Sequence, residues 1–267
     1  MAEENKHERT STRAFERKGA ARLVRGAGCY VDDVQLPDAA YAAFVRSSAA
    51  RAKITRLDLS SARGCPGVLA AVALTDIIGD IRPLRGPEGP LADCLIYPLP
   101  QSDVHYVGEP LAVVVAESRY QAQDGADTVE IDYDLRPAIL DPEAALKPQA
   151  PLVFDQLASN VVQEVHIASE GVDRAFAEAD HIITERLRTQ RIAACPLEPR
   201  ACAAVFDPAS GRYMVWSSTV TIHAVRQQLA EVLGVKENRV RVIAPDVGGS
   251  FGGKVHPYSE EILVAYL

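Results

Sequence analysis

The sequence is short of several features that would settle a function at once. Its five cysteines, Cys29, Cys65, Cys94, Cys195 and Cys202, form no C-x-x-C pair. An iron–sulfur cluster or a structural zinc held by this chain alone is therefore not expected. No apolar run is long enough to cross a membrane. The opening MAEENKHERTSTRAFERKGAARLVRG is charged throughout, so it does not read as a secretory signal. Without a signal, a reducing, cytoplasmic setting with free thiols is expected, most of them as small core residues. The net charge is −8 and basic residues are dispersed, which argues against a nucleic-acid partner. There is no internal repeat and no low-complexity segment.

What is present is a globular composition. Hydrophobic residues make up 48% of the 267 positions and charged residues 24%, enough for a sizeable core in two modest domains or one large one. In the first half AAYAAFVRSS and GVLAAVALT read as strands. The strongest strand is GEPLAVVVAES, whose Leu111–Ala116 is a continuous apolar run suited to burial. SRYQAQDGADTVEIDY predicts a helix running into a strand, despite Gly125. Prolines at 137, 142, 148 and 151 mark Pro137–Pro151 as a linker. Beyond it, a short helix about Val172–Glu178 should lead into a long strand and then a turn at Pro196–Pro199. RYMVWSS and VRVIAPDV are further strands. Between them Ile222, Val225, Leu229 and Val232 fall at helical spacing, with Thr219 as a candidate cap and Gly234 as a stop. After Pro257, Glu260 and Glu261 open a last helix, SEEILVAYL. It reaches the final residue without a C-cap, so the sequence is expected to be interrupted.

The stretch Val247–Val255, VGGSFGGKV, admits three chemistries. Gly248-x-x-x-x-Gly253-Lys254 approaches a phosphate loop, but the position that should carry a magnesium-binding hydroxyl is Val255, and bulky Phe251 sits inside the loop. Gly248-x-Ser250-x-Gly252 approaches a nucleophile elbow, but the acid and histidine that should follow Ser250 in that order are only His256, Glu260 and Glu261. The third chemistry is a cradle. Glycines permit positive φ and close backbone approach, and successive N–H groups form a nest for oxo or phosphate groups, with Phe251 as a wall.

VRVIAPDVGGSFGGK resembles the cofactor loop of the molybdopterin-binding large subunit of the xanthine dehydrogenase, aldehyde oxidase and carbon monoxide dehydrogenase family. The similarity continues in GAGCYVDDVQLPDAAYAAFVRSSAARAKITRLDLSSARGCPGVLAAV, VHYVGEPLAVVVAESRYQAQDGADTVEIDYDLRPAILDPEAAL, PLEPRACAAVF and WSSTVTIHAVRQQLAEVLGV, in the family's order. The resemblance implies an α+β chain: a tail over 1–19, an α/β hammerhead-like domain over 20–140, a linker over 141–164, and an incomplete molybdenum-cofactor-binding domain over 165–267. It implies molybdenum–molybdopterin, in plain or cytosine dinucleotide form. The reaction implied is the oxidative hydroxylation of a small organic substrate, an aldehyde or N-heterocycle, with water as the oxygen source. Electrons would pass to a 2Fe-2S small subunit and an FAD medium subunit.

Carried over position by position, Gly248, Gly249, Phe251, Gly252 and Gly253 match the loop at the molybdenum centre, and Ser250 replaces a glycine common there. Lys254 matches, in a role that either solvates or anchors the loop. Val255 stands where purine-oxidising relatives carry an acid, which disfavours a purine. Val220 stands where the family usually has a glutamine that contacts a molybdenum ligand. His223 and Arg226 share a helix face near the loop, and Glu198 reads as a structural acid for Arg200 or a nearby amide, or as a cavity wall. No protein metal ligand is implied. The family's catalytic glutamate lies near the C-terminus of a longer subunit and has no counterpart here. Two functions follow: part of a hydroxylase, completed by a C-terminal portion or second chain, or a non-catalytic remnant that docks partner subunits without binding metal.

Overall fold

The structure, a computed structural model, describes residues 19–84 and 94–267. All but the last residue of the expected tail lies outside them. The strands are β1 (Tyr41–Arg46), β2 (Ala52–Asp58), β3 (Val68–Ala73), β4 (Asp103–Val104), β5 (Pro110–Ala116), β6 (Glu130–Leu135), β7 (Cys202–Asp207), β8 (Arg212–Ser217) and β9 (Val240–Ile243). The helices are α1 (Ala20–Leu23), α2 (Ser60–Arg63), α3 (Leu74–Ile77), α4 (Arg119–Asp127), α5 (Pro142–Ala145), α6 (Val172–Glu178), α7 (Ile222–Val232) and α8 (Ser259–Tyr266).

Strand β5 is the centre of an antiparallel sheet, β1-β5-β3, and its apolar run is buried on both faces as the sequence predicts. Helix α4 lies on that sheet. Ser118 caps it by accepting the Gln121 N–H, and Gly125 is required by packing. A Cβ at Gly125 would stand 2.9 Å from Val68 Cγ2 and 3.0 Å from Val114 Cγ1. A second antiparallel sheet, β4-β2-β6, contains the strand β2 that sequence patterning did not single out. Its Lys53, Arg56 and Asp58 dilute the apolar signal, and only Ala52 is fully buried. Strand β3 stops at Ala73, and the Leu74–Thr75 pair expected to extend it instead begins α3.

The third sheet is mixed. Strands β7 and β8 form an antiparallel hairpin, and β8 runs parallel to β9 through the crossover helix α7. Val225, Leu229 and Val232 of α7 are buried, Ile222 is at the rim, and Gly234 ends the helix at φ +68°. The cap differs from the expected one: Thr221 is the N-cap residue, and Thr219 Oγ1 accepts the Thr221 N–H. One apolar cluster draws on both halves of the chain, joining Val72, Leu74, Ile77 and Val113 to Val215, Val225, Leu229, Ile262 and Leu263. The Arg82 N–H to Val232 carbonyl bond of 2.8 Å and the Arg46–Glu260 ion pair of 2.5 Å join the same halves.

Two further expectations are corrected. The run from Ala179 to Pro199 contains no ladder: it follows α6 as a largely exposed stretch with no strand partner among the described residues. Its β-forming residues are there, but a strand exists only by pairing. The cysteines are also less buried than expected. Cys94 lies in the interior, whereas Cys29 and Cys195 are exposed on irregular segments. The Cys202 thiol is turned inward, and burial first, then the charges of Glu261 and Glu260, push it far above the ordinary thiol range.

Candidate functional site

The ends of β8 and β9 lie side by side because the two strands are parallel, and loops leaving such a pair converge on one edge of the sheet. Here they are Ser218–Thr221, leading into α7, and 244–258, which contains the glycine loop. A third segment, 194–201, joins them. The Ser218 N–H donates to the Ala201 carbonyl at 3.0 Å, and the Ala201 N–H donates to Ser218 Oγ at 2.9 Å.

The inner side of the loop is packed shut. Gly248 presses on Glu198, where a Cβ would stand 2.5 Å from the Glu198 Cβ. At Gly249 a Cβ would meet Phe251 Cε2 at 3.0 Å and Pro196 Cβ at 3.2 Å, and at Gly253 it would meet Ala194 Cβ at 3.1 Å. Glu198 Oε2 accepts the Gly248 N–H at 2.6 Å and Lys254 Nζ at 2.7 Å. Lys254 is 2% exposed, so its ammonium lies inside the protein against Glu198. The loop's exit is fastened as well. The Val220 N–H donates to the Lys254 carbonyl at 3.1 Å, Thr221 Oγ1 donates to the Val255 carbonyl at 2.5 Å, and the Tyr258 hydroxyl donates to the Gly253 carbonyl at 2.8 Å.

The outer side is open. Gly252 has φ +91° and nothing within 4 Å of the position its Cβ would take, and Phe251, at φ +48°, is 79% exposed. Among the described residues, no acceptor reaches the N–H groups of Gly249, Ser250, Phe251 or Gly252. Gly249 and Phe251 stand at positive φ on either side of Ser250, the alternation that brings successive N–H groups together around an anionic group, and Gly252 follows, also at positive φ. Two buried oxygens beside the loop, Ser250 Oγ and Glu198 Oε1, also have no partner.

This geometry argues against two of the three chemistries of the loop. A phosphate loop needs its lysine at the phosphates, and Lys254 is sequestered on Glu198. A serine nucleophile needs a base within hydrogen-bond reach, and Ser250 Oγ is buried with none. The backbone cradle is the chemistry the geometry fits. Glu198 proves to be the loop's anchor, so the expected pairing with a nearby amide holds but that with Arg200 does not. Arg200 instead lies 3.6 Å over the Tyr258 ring and pairs with Glu260 at 3.2 Å. Val220 and Val255 are half-exposed beside the loop exit. His223 is exposed, and Arg226 is engaged by Glu237 at 2.8 Å. The fastening by Tyr258 and Thr221 was not foreseen, since a hydroxyl gives no sign of which carbonyl a fold will bring to it.

Glu260 and Glu261 divide the labour at the start of α8. Glu261 Oε2 accepts the Tyr258 N–H at 2.6 Å and its Oε1 accepts Ser217 Oγ at 3.0 Å. Burial nonetheless dominates and raises the Glu261 carboxyl above its ordinary value. Burial acts the same way on Glu260, but the Arg46 hydrogen bond and the charges of Arg200 and Arg46 outweigh it and leave Glu260 lowered.

Both halves of the chain resemble known proteins. Residues 153–267 match a family model described as the molybdopterin cofactor-binding domain, and residues 25–137 match that of the aldehyde oxidase and xanthine dehydrogenase a/b hammerhead domain. The nicotine 6-hydroxylase large subunit of Paenarthrobacter nicotinovorans is 37% identical over 91% of this chain and 30% of its own length. The carbon monoxide dehydrogenase large chain of Afipia carboxidovorans is 34% identical over 89% of this chain and 31% of its own length. The crystal structure of quinoline 2-oxidoreductase from Pseudomonas putida 86 superposes with a TM-score of 0.83 at 30% identity, covering 94% of this chain and 32% of that one. The chain thus spans about a third of the length of the relatives it matches. With both family models placed in tandem over most of its length, it belongs to the xanthine dehydrogenase and aldehyde oxidase family, within the molybdopterin-binding large subunit.

Proposed function

We propose that this chain contributes the glycine-loop wall of the cofactor site in a molybdenum hydroxylase acting on a small N-heterocycle or aldehyde. The observation that carries this reading is the row of unpartnered N–H groups from Gly249 to Gly252, on the open side of a loop whose other side is packed shut. Such a row suits an anionic, oxygen-rich group and leaves no room for a side chain between backbone and ligand. When bound, molybdenum–molybdopterin would supply the two-electron oxidation of a carbon–hydrogen centre with water as the oxygen source. The chain's own part is to hold and orient that group through the N–H groups of Gly249, Ser250, Phe251 and Gly252, with Gly248 and Gly253 closing the loop at either end. Phe251 would border the substrate space. Val220 offers no amide, so binding at this edge falls more heavily on the loop.

Nicotine and quinoline, named for two relatives, are N-heterocycles, which supports that substrate class here. Val255 cannot hydrogen-bond a polar heterocycle, which favours a less polar ring than a purine. The remainder of the site, including its acid–base group, would come from a further polypeptide portion. Support for this comes from the exposed 179–199 run, where Ile183, Leu187, Ile192 and Leu197 each present at least three quarters of their surface. Iron–sulfur and flavin subunits would take the electrons, in the cytoplasm.

The test is to produce the chain alone, and together with the remaining large-subunit portion and both electron-transfer subunits, and to measure molybdenum and pterin. Near-stoichiometric metal in the assembly and none in the isolated chain is the expected result. An assembly that forms yet holds neither would overturn the reading and leave a docking scaffold.

A further inference from the structure

We infer that Glu198 and Lys254 are a positioning pair, an ionic strut behind the glycine loop that sets its open side and leaves cofactor binding to backbone N–H groups alone. This rests on the molybdopterin reading above. A lysine next to a glycine nest would ordinarily be expected to face the bound anion. Here its ammonium is buried, and Glu198 Oε2 neutralises it at 2.7 Å. The same oxygen takes the Gly248 N–H at 2.6 Å, so one atom fixes both the first glycine of the loop and the lysine that ends it.

Glu198 is itself fixed. It lies between Pro196 and Pro199, its backbone N–H faces the Gly248 carbonyl at 3.4 Å, and Ala201 is tied to Ser218 beyond it. At the other end, Lys254 is held through its carbonyl by the Val220 N–H and by Thr219 Oγ1 at 3.3 Å. The strut therefore connects two anchored points across the base of the loop. With Gly248 N–H directed to Glu198, the next four N–H groups are left for a ligand. A buried charge pair is a costly way to add stability, since an apolar pair of similar size does as well. Its distinctive capacity is to hold geometry.

The discriminating variant is the double substitution Glu198→Gln with Lys254→Met. It removes both charges at nearly constant volume, so no buried charge is left unpaired. In the full chain it should melt close to the wild type. Amide exchange in 247–253 should nevertheless quicken about tenfold while exchange in Arg119–Asp127 stays unchanged, a local loosening rather than a global one. In the assembled enzyme, pterin released and oxidised to its fluorescent form should fall about tenfold. Arg56→Ala, which removes an exposed pair on β2, should change neither measurement. Wild-type loop exchange in the double variant, or pterin content within about twofold of wild type, would make the pair merely structural and overturn the inference. Should the wild-type assembly also lack pterin, the molybdopterin reading fails, and loop exchange still decides the role of the pair.

Discussion

Substituting Gly248 and Gly252 separately tests the two-sided loop, because the two glycines are needed for different reasons. At Gly248 the added Cβ would sit 2.5 Å from the Glu198 Cβ. Carbon atoms settle at about 3.5 Å or more, so one partner must retreat by roughly 1 Å. That retreat would stretch the bonds of 2.6 and 2.7 Å that Glu198 Oε2 makes to Gly248 and Lys254 beyond hydrogen-bond range. Breaking a buried ion pair costs about 3–5 kcal/mol, and the lower end applies because the Glu198 side chain keeps 13% of its surface in solvent. At Gly252 no atom is in the way, and the cost of Ala is only the left-handed backbone at φ +91°, about 1–2 kcal/mol. For a chain of this size about 1 kcal/mol shifts the melting temperature by roughly 2–4 °C. Gly248→Ala should therefore lower the melting temperature by about 6–12 °C and Gly252→Ala by about 2–8 °C, as read by circular dichroism. A Gly248→Ala chain that melts within about 2 °C of wild type, or above Gly252→Ala, would refute the packed inner side.

Three more outcomes are expected. Gly125→Val should cost about 1–3 kcal/mol in urea unfolding, because its branched side chain would push α4 off Val68 and Val114. Leu229→Ala, at a position 1% exposed, should cost about 2–5 kcal/mol and lower the melting of both halves together, since their core is shared; two separate transitions would contradict that. Glu261 has a folded-state value raised above 4.5, so between the two values the native state binds more protons, and its contribution to stability is lost as pH rises through that window. The melting advantage of wild type over Glu261→Gln should accordingly shrink as pH climbs from about 4.5; a flat difference would show that Glu261 titrates alike in both states.

How much of this was legible in the sequence depended on whether the relevant force is local. Strand β5, α7 and α8 announce themselves because their burial is written in their own periodicity. Strand β2 does not, since Lys53, Arg56 and Asp58 face solvent from a strand whose place is set by β4 and β6 on either side. The 179–199 run shows the converse. Its residues favour an extended backbone, but pairing takes two segments, and none of the described residues pairs with it. The glycine loop was legible as a loop, because close approach and positive φ leave little choice but glycine. Its anchor was not: Glu198 and Lys254 are 56 residues apart, and nothing in either neighbourhood reports that the lysine will be buried against a carboxylate so distant in sequence.

Lys254 is where sequence and structure diverge most usefully. In the sequence it is the residue that gives the loop its likeness to a phosphate loop, because a lysine after glycines suggests a cation reaching for an anion. In the fold the same lysine removes that likeness. Its charge is spent on Glu198, its exposure is 2%, and its carbonyl is held by Val220 and Thr219. What remains facing outward is backbone alone, with Phe251 beside it. A loop built this way can grip an anionic group by shape and dipole without adding a mobile positive charge. In the proposed function, discrimination among substrates would fall to the side chains at its rim, Val220, Phe251 and Val255, all of them apolar and all at least a third exposed. An apolar rim around a backbone cradle favours a flat, weakly polar ring over one that must be hydrogen-bonded along its edge.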